Sequence, residues 1–188
     1  MEPSMSSYSH FIDQLAGGEL AGKVAVNRTT EHASVVLKAI FRKARHHVCI
    51  LSSRLDEAVY VWEVGETAAG FLLENEDGKL DILIEQDVGL ENHKFFDEMA
   101  RLGLLERVTV GKVSANAQKA YTFNFVVADR EHFRFEKDRG ALEAIVQFSN
   151  SKSGAALEDI FQQLQSASDP VSVARPITFR ASSPLSFG

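Results

Sequence analysis

The chain lacks most of the features that mark a specialised class. It has one cysteine, Cys49, so no disulfide can form within it, and such a chain suits a reducing compartment. In the apolar run HHVCILSS, Cys49 reads as a small buried hydrophobe rather than a reactive thiol. Positive charge is also short: the net charge is −6. That excludes a diffuse basic surface for nucleic acid and leaves at most a local patch. No apolar run approaches the ~18 residues a membrane span needs. The opening MEPSMSSYSHF has no basic stretch followed by an apolar one, so no signal peptide is expected and the cytoplasm is the expected location. Gly17 to Lys23, GGELAGK, lacks the spacing of a phosphate loop and the Ser or Thr that follows one. Histidines are scattered; His46-His47 is not at ligand spacing, so no metal and no cofactor are expected.

What is present is an ordinary globular composition, 45% hydrophobic and 24% charged over 188 residues. That length most naturally forms one domain and buries roughly two-thirds of its unfolded surface without a metal or disulfide staple. The patterning gives its layout. Phe11, Ile12 and Leu15 form a short helical stripe before Gly17-Gly18. Lys23 to Asn27 alternates like a strand. Thr29-Thr30 then caps a helix, Glu31 to Arg45, whose apolar face is Val35, Val36, Ala39, Ile40 and Phe41. Its basic side, Lys38, Arg42, Lys43 and Arg45, reads as a solvated face. His47 to Ser52 is a buried strand, Glu66 to Glu74 a helix, Leu80 to Ile84 a strand, Asn92 to Leu102 a helix and Arg107 to Val113 a strand. Helix-strand alternation of this kind implies parallel neighbours joined by crossovers.

After Ala120 the pattern changes to closely spaced strands at Tyr121 to Ala128, His132 to Glu136 and Ala144 to Phe148. The turn Ala128-Asp129-Arg130-Glu131 is hairpin-sized, so this part is expected to be antiparallel. Ser153 to Gln165 is a closing amphipathic helix, broken by Asp169-Pro170. Residues 171 to 188, with Pro176, Pro184 and several serines, read as a flexible tail or a segment that orders on a partner. The fold class is therefore α/β, a mixed, mostly parallel sheet flanked by helices. Its expected parts are an N-terminal segment (1–29), the α/β domain (30–167) and the tail (168–188).

Two motifs carry chemistry. In Val126 to Glu136, VVADREHFRFE, alternation puts His132, Arg134 and Glu136 on one face and Phe133 and Phe135 on the other. The polar face reads either as an outward His-Arg-Glu ladder or as part of a cleft, with Glu136 available to orient His132. In VQFSN, Ser149 and Asn150 could bind phosphate or cap the helix that follows. Ser52, Ser53 and Arg54, with Asp56 and Glu57 nearby, stand where parallel sheets place ligands, at the carboxyl end of a strand. Tyr60 and Trp62 read as core, or as an interface patch if exposed.

The order of elements and these two motifs resemble one half of the phospholipase D superfamily fold. The resemblance covers roughly Thr30 to Gln165 by pattern and the two motifs by residue. The family's motif has the form H-x-K-x(4)-D, followed by a small-residue segment ending in Ser-x-Asn. The resemblance implies an attacking histidine at His132, Arg134 in the lysine position, Arg139 in the aspartate position, and Ser149-Asn150 as the phosphate segment. The single, degenerate copy implies a catalytically impaired member, acting as a binding or assembly module, as a homodimer or a subunit of a larger protein complex. The alternative is a homodimeric, metal-independent phosphodiesterase or nuclease using His132. Nucleic acid is a possible partner that the net charge does not indicate; a membrane is not expected.

Overall fold

A computed structural model describes residues 4–86 and 89–173. Eight strands form one sheet: β1 (Ala25–Asn27), β2 (His47–Ser52), β3 (Lys79–Ile84), β4 (Val108–Lys112), β5 (Asn124–Ala128), β6 (His132–Glu136), β7 (Ala144–Gln147) and β8 (Asp169–Pro170). Their spatial order is β1-β7-β6-β5-β2-β3-β4-β8. The helices are α1 (Met5–Gly17), α2 (Thr30–Lys43), α3 (Trp62–Glu74), α4 (Asp97–Arg101), α5 (Ala115–Ala120) and α6 (Ser151–Gln165).

The sheet is mixed. Parallel pairing joins β2 to β3 and β3 to β4, while β2·β5, β5·β6, β6·β7, β1·β7 and β4·β8 are antiparallel. The parallel part is thus smaller than the patterning implied, because only β2, β3 and β4 are linked through helical crossovers. After Ala120, β5, β6 and β7 follow one another through a hairpin and a short loop and pair antiparallel, as the sequence foretold, before α6 leads to β8.

Helices cover both faces. Strand alternation sends Ile50, Ile82, Val126 and Val146 into one core with α1, α2 and α3. It sends Cys49, Leu51, Leu83, Val127 and Phe133 into another with Leu157, Phe161 and Leu164 of α6. Residues before position 30 share the first core: Ile12 and Leu15 are buried there, and Tyr8 stacks on His32 of α2 at 3.8 Å. Val171 donates its amide to the Val110 carbonyl, and Val173 is buried on the same body. Most of the expected tail, residues 174–188, lies outside the described residues.

Local chemistry explains most of the boundaries. Thr29 and Asn150 cap α2 and α6 by accepting amide hydrogens of His32 and Ser153. The expected helix at Asn92–Leu102 is instead two tight turns, Leu90–Asn92 and Lys94–Phe96, running into the short α4. The reason lies in His93, whose ring accepts the Phe95 amide hydrogen and bonds the Leu55 carbonyl at 2.7 Å, an anchor that a continuous helix would break. The sequence reading missed α5, a six-residue helix capped by Ser114.

Candidate functional site

The hairpin β5–β6 organises the polar chemistry. Asp129 and Arg130 both have positive φ, 52° and 61°, as a tight right-twisted hairpin turn requires. Asp129 tolerates this and uses its carboxylate to accept the amide hydrogens of Arg45, His46 and His47 at 2.6, 2.9 and 2.8 Å. The acidic turn therefore pins the start of β2.

The residues singled out from the sequence fall into two groups. His132, Ser149 and Asn150 meet at the hairpin-turn end of the sheet. His132 Nδ1 accepts the Ser149 amide hydrogen at 3.0 Å, and the ring lies 5.7 Å from that of Phe148. The side chain is buried, and burial holds its pKa below the usual histidine range. Asn150 Oδ1 caps α6, while its amide donates to Gln147 Oε1 at 2.8 Å.

Arg134 and Glu136 lie toward the other end. Glu136 pairs with Asn124 in register, whereas His132 pairs with Ala128, so four residues of strand, about 13 Å, separate the histidine from Glu136. Glu136 therefore does not orient His132. The polar face of β6 is no outward ladder either: His132, Arg134 and Glu136 are 6%, 4% and 4% exposed. Helix α2 packs over this face of β5 and β6, which alternation alone could not disclose.

Around Arg134 and Glu136 a network closes. Arg134 Nε donates to Asn27 Oδ1 at 2.9 Å, and its terminal nitrogen donates to Glu136 Oε2 at 2.8 Å. Glu136 Oε1 accepts from Asn124 at 3.0 Å, and Asn124 Oδ1 accepts the Ser53 amide hydrogen at 2.9 Å. A small cleft at the carboxyl end of β2 is lined by Ser52, Ser53, Arg54, Asn124, Arg134, Glu136 and Arg139, with a volume of about 70 Å³. Here the sequence reading of Ser52–Arg54 finds its setting. Arg139 crosses to Glu85, just beyond β3, and to the Tyr121 carbonyl, while its Nε is buried and meets no partner among the described residues. Arg54 pairs with Asp56 at 3.1 Å. Burial raises the Glu85 pKa, and Arg139 opposes that shift.

Asn27, Asn124 and Glu85 had not been singled out. A signal for Asn124 was available: the spacing H-x-K-x(4)-D, counted back from the turn residue Asp129, reaches Asn124 and Thr122. Trp62 is 41% exposed at the start of α3, and Tyr60 is buried.

On the opposite face, strand alternation brings His47 and Cys49 together beneath α6. His47 Nε2 lies 2.9 Å from Asp81 Oδ2 and 3.4 Å from Cys49 Sγ, and its Nδ1 lies 3.7 Å from that sulfur and 3.9 Å from Glu158 Oε1. The hydrogen bond to Asp81 raises the His47 pKa. Burial raises the Cys49 thiol, with Glu158 and Asp81 adding to the effect. Spacing along the sequence puts no ligand set around the histidines; the tertiary fold brings ligand atoms of His47, Cys49 and Glu158 within 4.8 Å of one another.

A family model described as a domain of unknown function (DUF7931) matches residues 29–177. The chain belongs to that family. No curated protein matches it. Among solved structures it is similar to phosphatidylserine synthase of Haemophilus influenzae Rd KW20 (TM-score 0.58, 13% identity, covering 93% of this chain and 45% of that one). It is similar to TrmBL2, an archaeal DNA-binding chromatin protein (TM-score 0.56, 13% identity, covering 88% of this chain and 62% of that one). A third is the phospholipase D family member Nuc from Salmonella typhimurium (TM-score 0.54, 11% identity, covering 82% of this chain and 97% of that one). The fold is phospholipase D-like. The chain spans less than two thirds of the synthase and of the chromatin protein. No helix among the described residues is long and apolar enough to cross a membrane.

Proposed function

We propose that this chain is a catalytically impaired phospholipase D-like domain that acts as a binding or assembly module, as a homodimer or as a subunit of a larger protein complex. The observation that carries this reading is the charge balance of the cleft. Arg134 is paired with Glu136, Arg139 with Glu85 and Arg54 with Asp56. A phosphoryl-transfer site needs cationic donors left free for the phosphate oxygens; the charges of these three are already balanced by carboxylates, and Arg139 Nε is the one buried donor left over among the described residues. His132 supports the same reading, being buried with Nδ1 occupied and remote from Glu136. In the motif frame that ends at Asp129, the histidine and lysine positions are held by Thr122 and Asn124, neither a phosphorus nucleophile of the histidine kind nor a cation.

For contacts, the β1 edge offers an apolar strip in which Val26 pairs with Ile145, both exposed, beside exposed Val24. Residues 174–188 offer a second means of attachment, continuing from the anchored Val173.

The test joins three measurements. Light scattering on the full chain reads the oligomeric state. Co-purification from the native cell, with and without residues 174–188, reads the partner. A chromogenic phosphodiester reads catalysis by the wild type and by His132→Ala. The expected outcome is a dimer or larger complex with both proteins at the background rate. A rate above background that His132→Ala removes would overturn the proposal in favour of a homodimeric phosphodiesterase.

A further inference from the structure

We propose that His47 Nδ1, Cys49 Sγ and Glu158 Oε1 form a site for one divalent cation of the zinc class, with Asp81 orienting His47 from behind. The ligand atoms of these three residues all lie within 4.8 Å of one another. Around a tetrahedral zinc ion, bonded at about 2.0 to 2.3 Å, donor atoms stand roughly 3.3 to 3.8 Å apart. The 3.7 Å from His47 Nδ1 to sulfur lies in that range, and the 3.9 Å to Glu158 is about 0.5 Å longer than a nitrogen–oxygen edge, a gap that a small turn of the Glu158 side chain closes.

The surroundings of His47 are those of a metal-binding imidazole. Its Nε2 faces Asp81 Oδ2 at 2.9 Å, and Thr109 Oγ1 donates to the other oxygen of that carboxylate. A carboxylate behind the distal nitrogen selects the tautomer that leaves Nδ1 unprotonated, and it raises the basicity of the ligand nitrogen. Here that nitrogen is the one that faces Glu158, while the sulfur sits beside the ring, 3.7 Å from Nδ1 and 3.4 Å from Nε2, so a small ring rotation brings Nδ1 and the sulfur onto one ion. The donor set of one sulfur, one nitrogen and one oxygen suits a borderline cation such as Zn²⁺ over a hard one such as Ca²⁺ or Mg²⁺. Three protein donors leave the fourth position of the ion to water.

The other groups facing the site permit this. Glu158 Oε1 also accepts from Arg130 and Gln162, both at 3.3 Å. Arg130 retains Asp159 at 2.8 Å if Glu158 turns to a metal. With His47 neutral, as a ligand must be, Asp81 and Glu158 are set against one cation, Arg130, and a bound ion balances the remainder. Cys49 binds as thiolate and releases its proton to solvent.

The site joins β2 to α6, more than 100 residues apart in sequence, and closing so long a loop makes the ion a structural clamp. This inference rests on different residues and the opposite face of the sheet from the cleft, so it stands or falls independently of the binding-module reading.

The experiment uses the reduced full-length protein, stripped with chelator and reloaded with Zn²⁺ or with Co²⁺ as the spectroscopic probe. The expected result is one ion retained per chain, a thiolate-to-cobalt charge-transfer band and a higher melting temperature with Zn²⁺. Asp81→Asn keeps all three ligands and should weaken binding roughly 10–100-fold. Cys49→Ser should lose the sulfur band, and Glu158→Gln should weaken binding more than Asp81→Asn does. Far-UV circular dichroism checks that each variant folds. The wild type decides without them: failure to retain the ion, or a cobalt spectrum with no sulfur band, overturns the proposal. So does a Cys49→Ser protein that is folded and binds as tightly as the wild type.

Discussion

Two buried polar clusters occupy opposite faces of one sheet, and they differ in charge balance. At the carboxyl end of β2, Asn27, Arg134, Glu136 and Asn124 form a chain in which the arginine and the carboxylate satisfy each other. At the amino end, under α6, His47, Cys49, Asp81 and Glu158 gather nitrogen, sulfur and carboxylate groups, with Arg130 as the fixed cation nearby. The first cluster stands where a parallel sheet ordinarily binds its ligand, yet its charges are spent within the protein. The second stands where a ligand is less expected and has an acidic excess whenever His47 is neutral. Position in a fold opens an opportunity for binding; uncompensated charge decides whether a ligand gains by arriving.

The largest expected effect breaks the closed cluster. Arg134→Ala leaves Glu136 buried without a cation and should destabilise the protein by about 3 to 5 kcal/mol in chemical denaturation. Replacing both residues with Met and Leu should restore much of that loss, since a buried ion pair is often no better than well-packed apolar groups. A double variant as unstable as Arg134→Ala would show that the pair is needed for more than mutual neutralisation.

Next, Gly154→Ala strikes the contact that seats α6 over the open cluster. A Cβ at Gly154 would run into the Arg130 carbonyl and the Glu131 amide of the hairpin turn. Backbone cannot yield as a side chain can, so a loss of about 1 to 3 kcal/mol is expected from thermal unfolding. An unchanged melting temperature would mean that α6 can slide on the sheet.

Asn150→Ala separates a cap from a catalytic role. Loss of its bond to the Ser153 amide should cost about 1 kcal/mol. Asn150→Ser or Asn150→Asp, which can also cap, should recover most of it.

The smallest effects are the titrations of two histidines near the amino end of β2, one on each face of the sheet, followed by NMR in chelator-treated protein. His47, bonded to Asp81, should titrate above the ordinary histidine value of about 6.5. Its stabilisation is fully present below that unfolded value and is lost as pH rises through the higher folded one. His132, buried, should titrate below about 6.5. Its neutral form is the one that fits, so its contribution holds above the unfolded value and is lost as pH falls through the lower folded one. Equal titration of the two would remove the electrostatic contrast between the two faces of the sheet at this end.

Much of the fold was legible because it depends on local periodicity. The stripe of Val35, Val36, Ala39 and Ile40 and the Thr29 cap mark α2 without any tertiary information. The single-spaced alternation of His132 to Glu136 marks β6 at its observed limits. Even the polar face of β6 could be listed by alternation, since period two is a property of extended backbone. The turn at Asp129 was equally plain.

What alternation cannot give is what lies above a face. That α2 buries His132, Arg134 and Glu136, and that Asn27 reaches Arg134 across 107 residues, depends on packing between distant segments. The same holds for His47 and Cys49. Their shared face is readable from their spacing of two, but Asp81 arrives by parallel pairing with Cys49 and Glu158 by the docking of α6. The sequence by itself determined the elements, the hairpin and the residue types available for chemistry, because those follow from local steric and hydrophobic patterning. The tertiary structure alone decided which charges meet: one set of partners cancels in a closed cleft, and the other converges as donors on a common point.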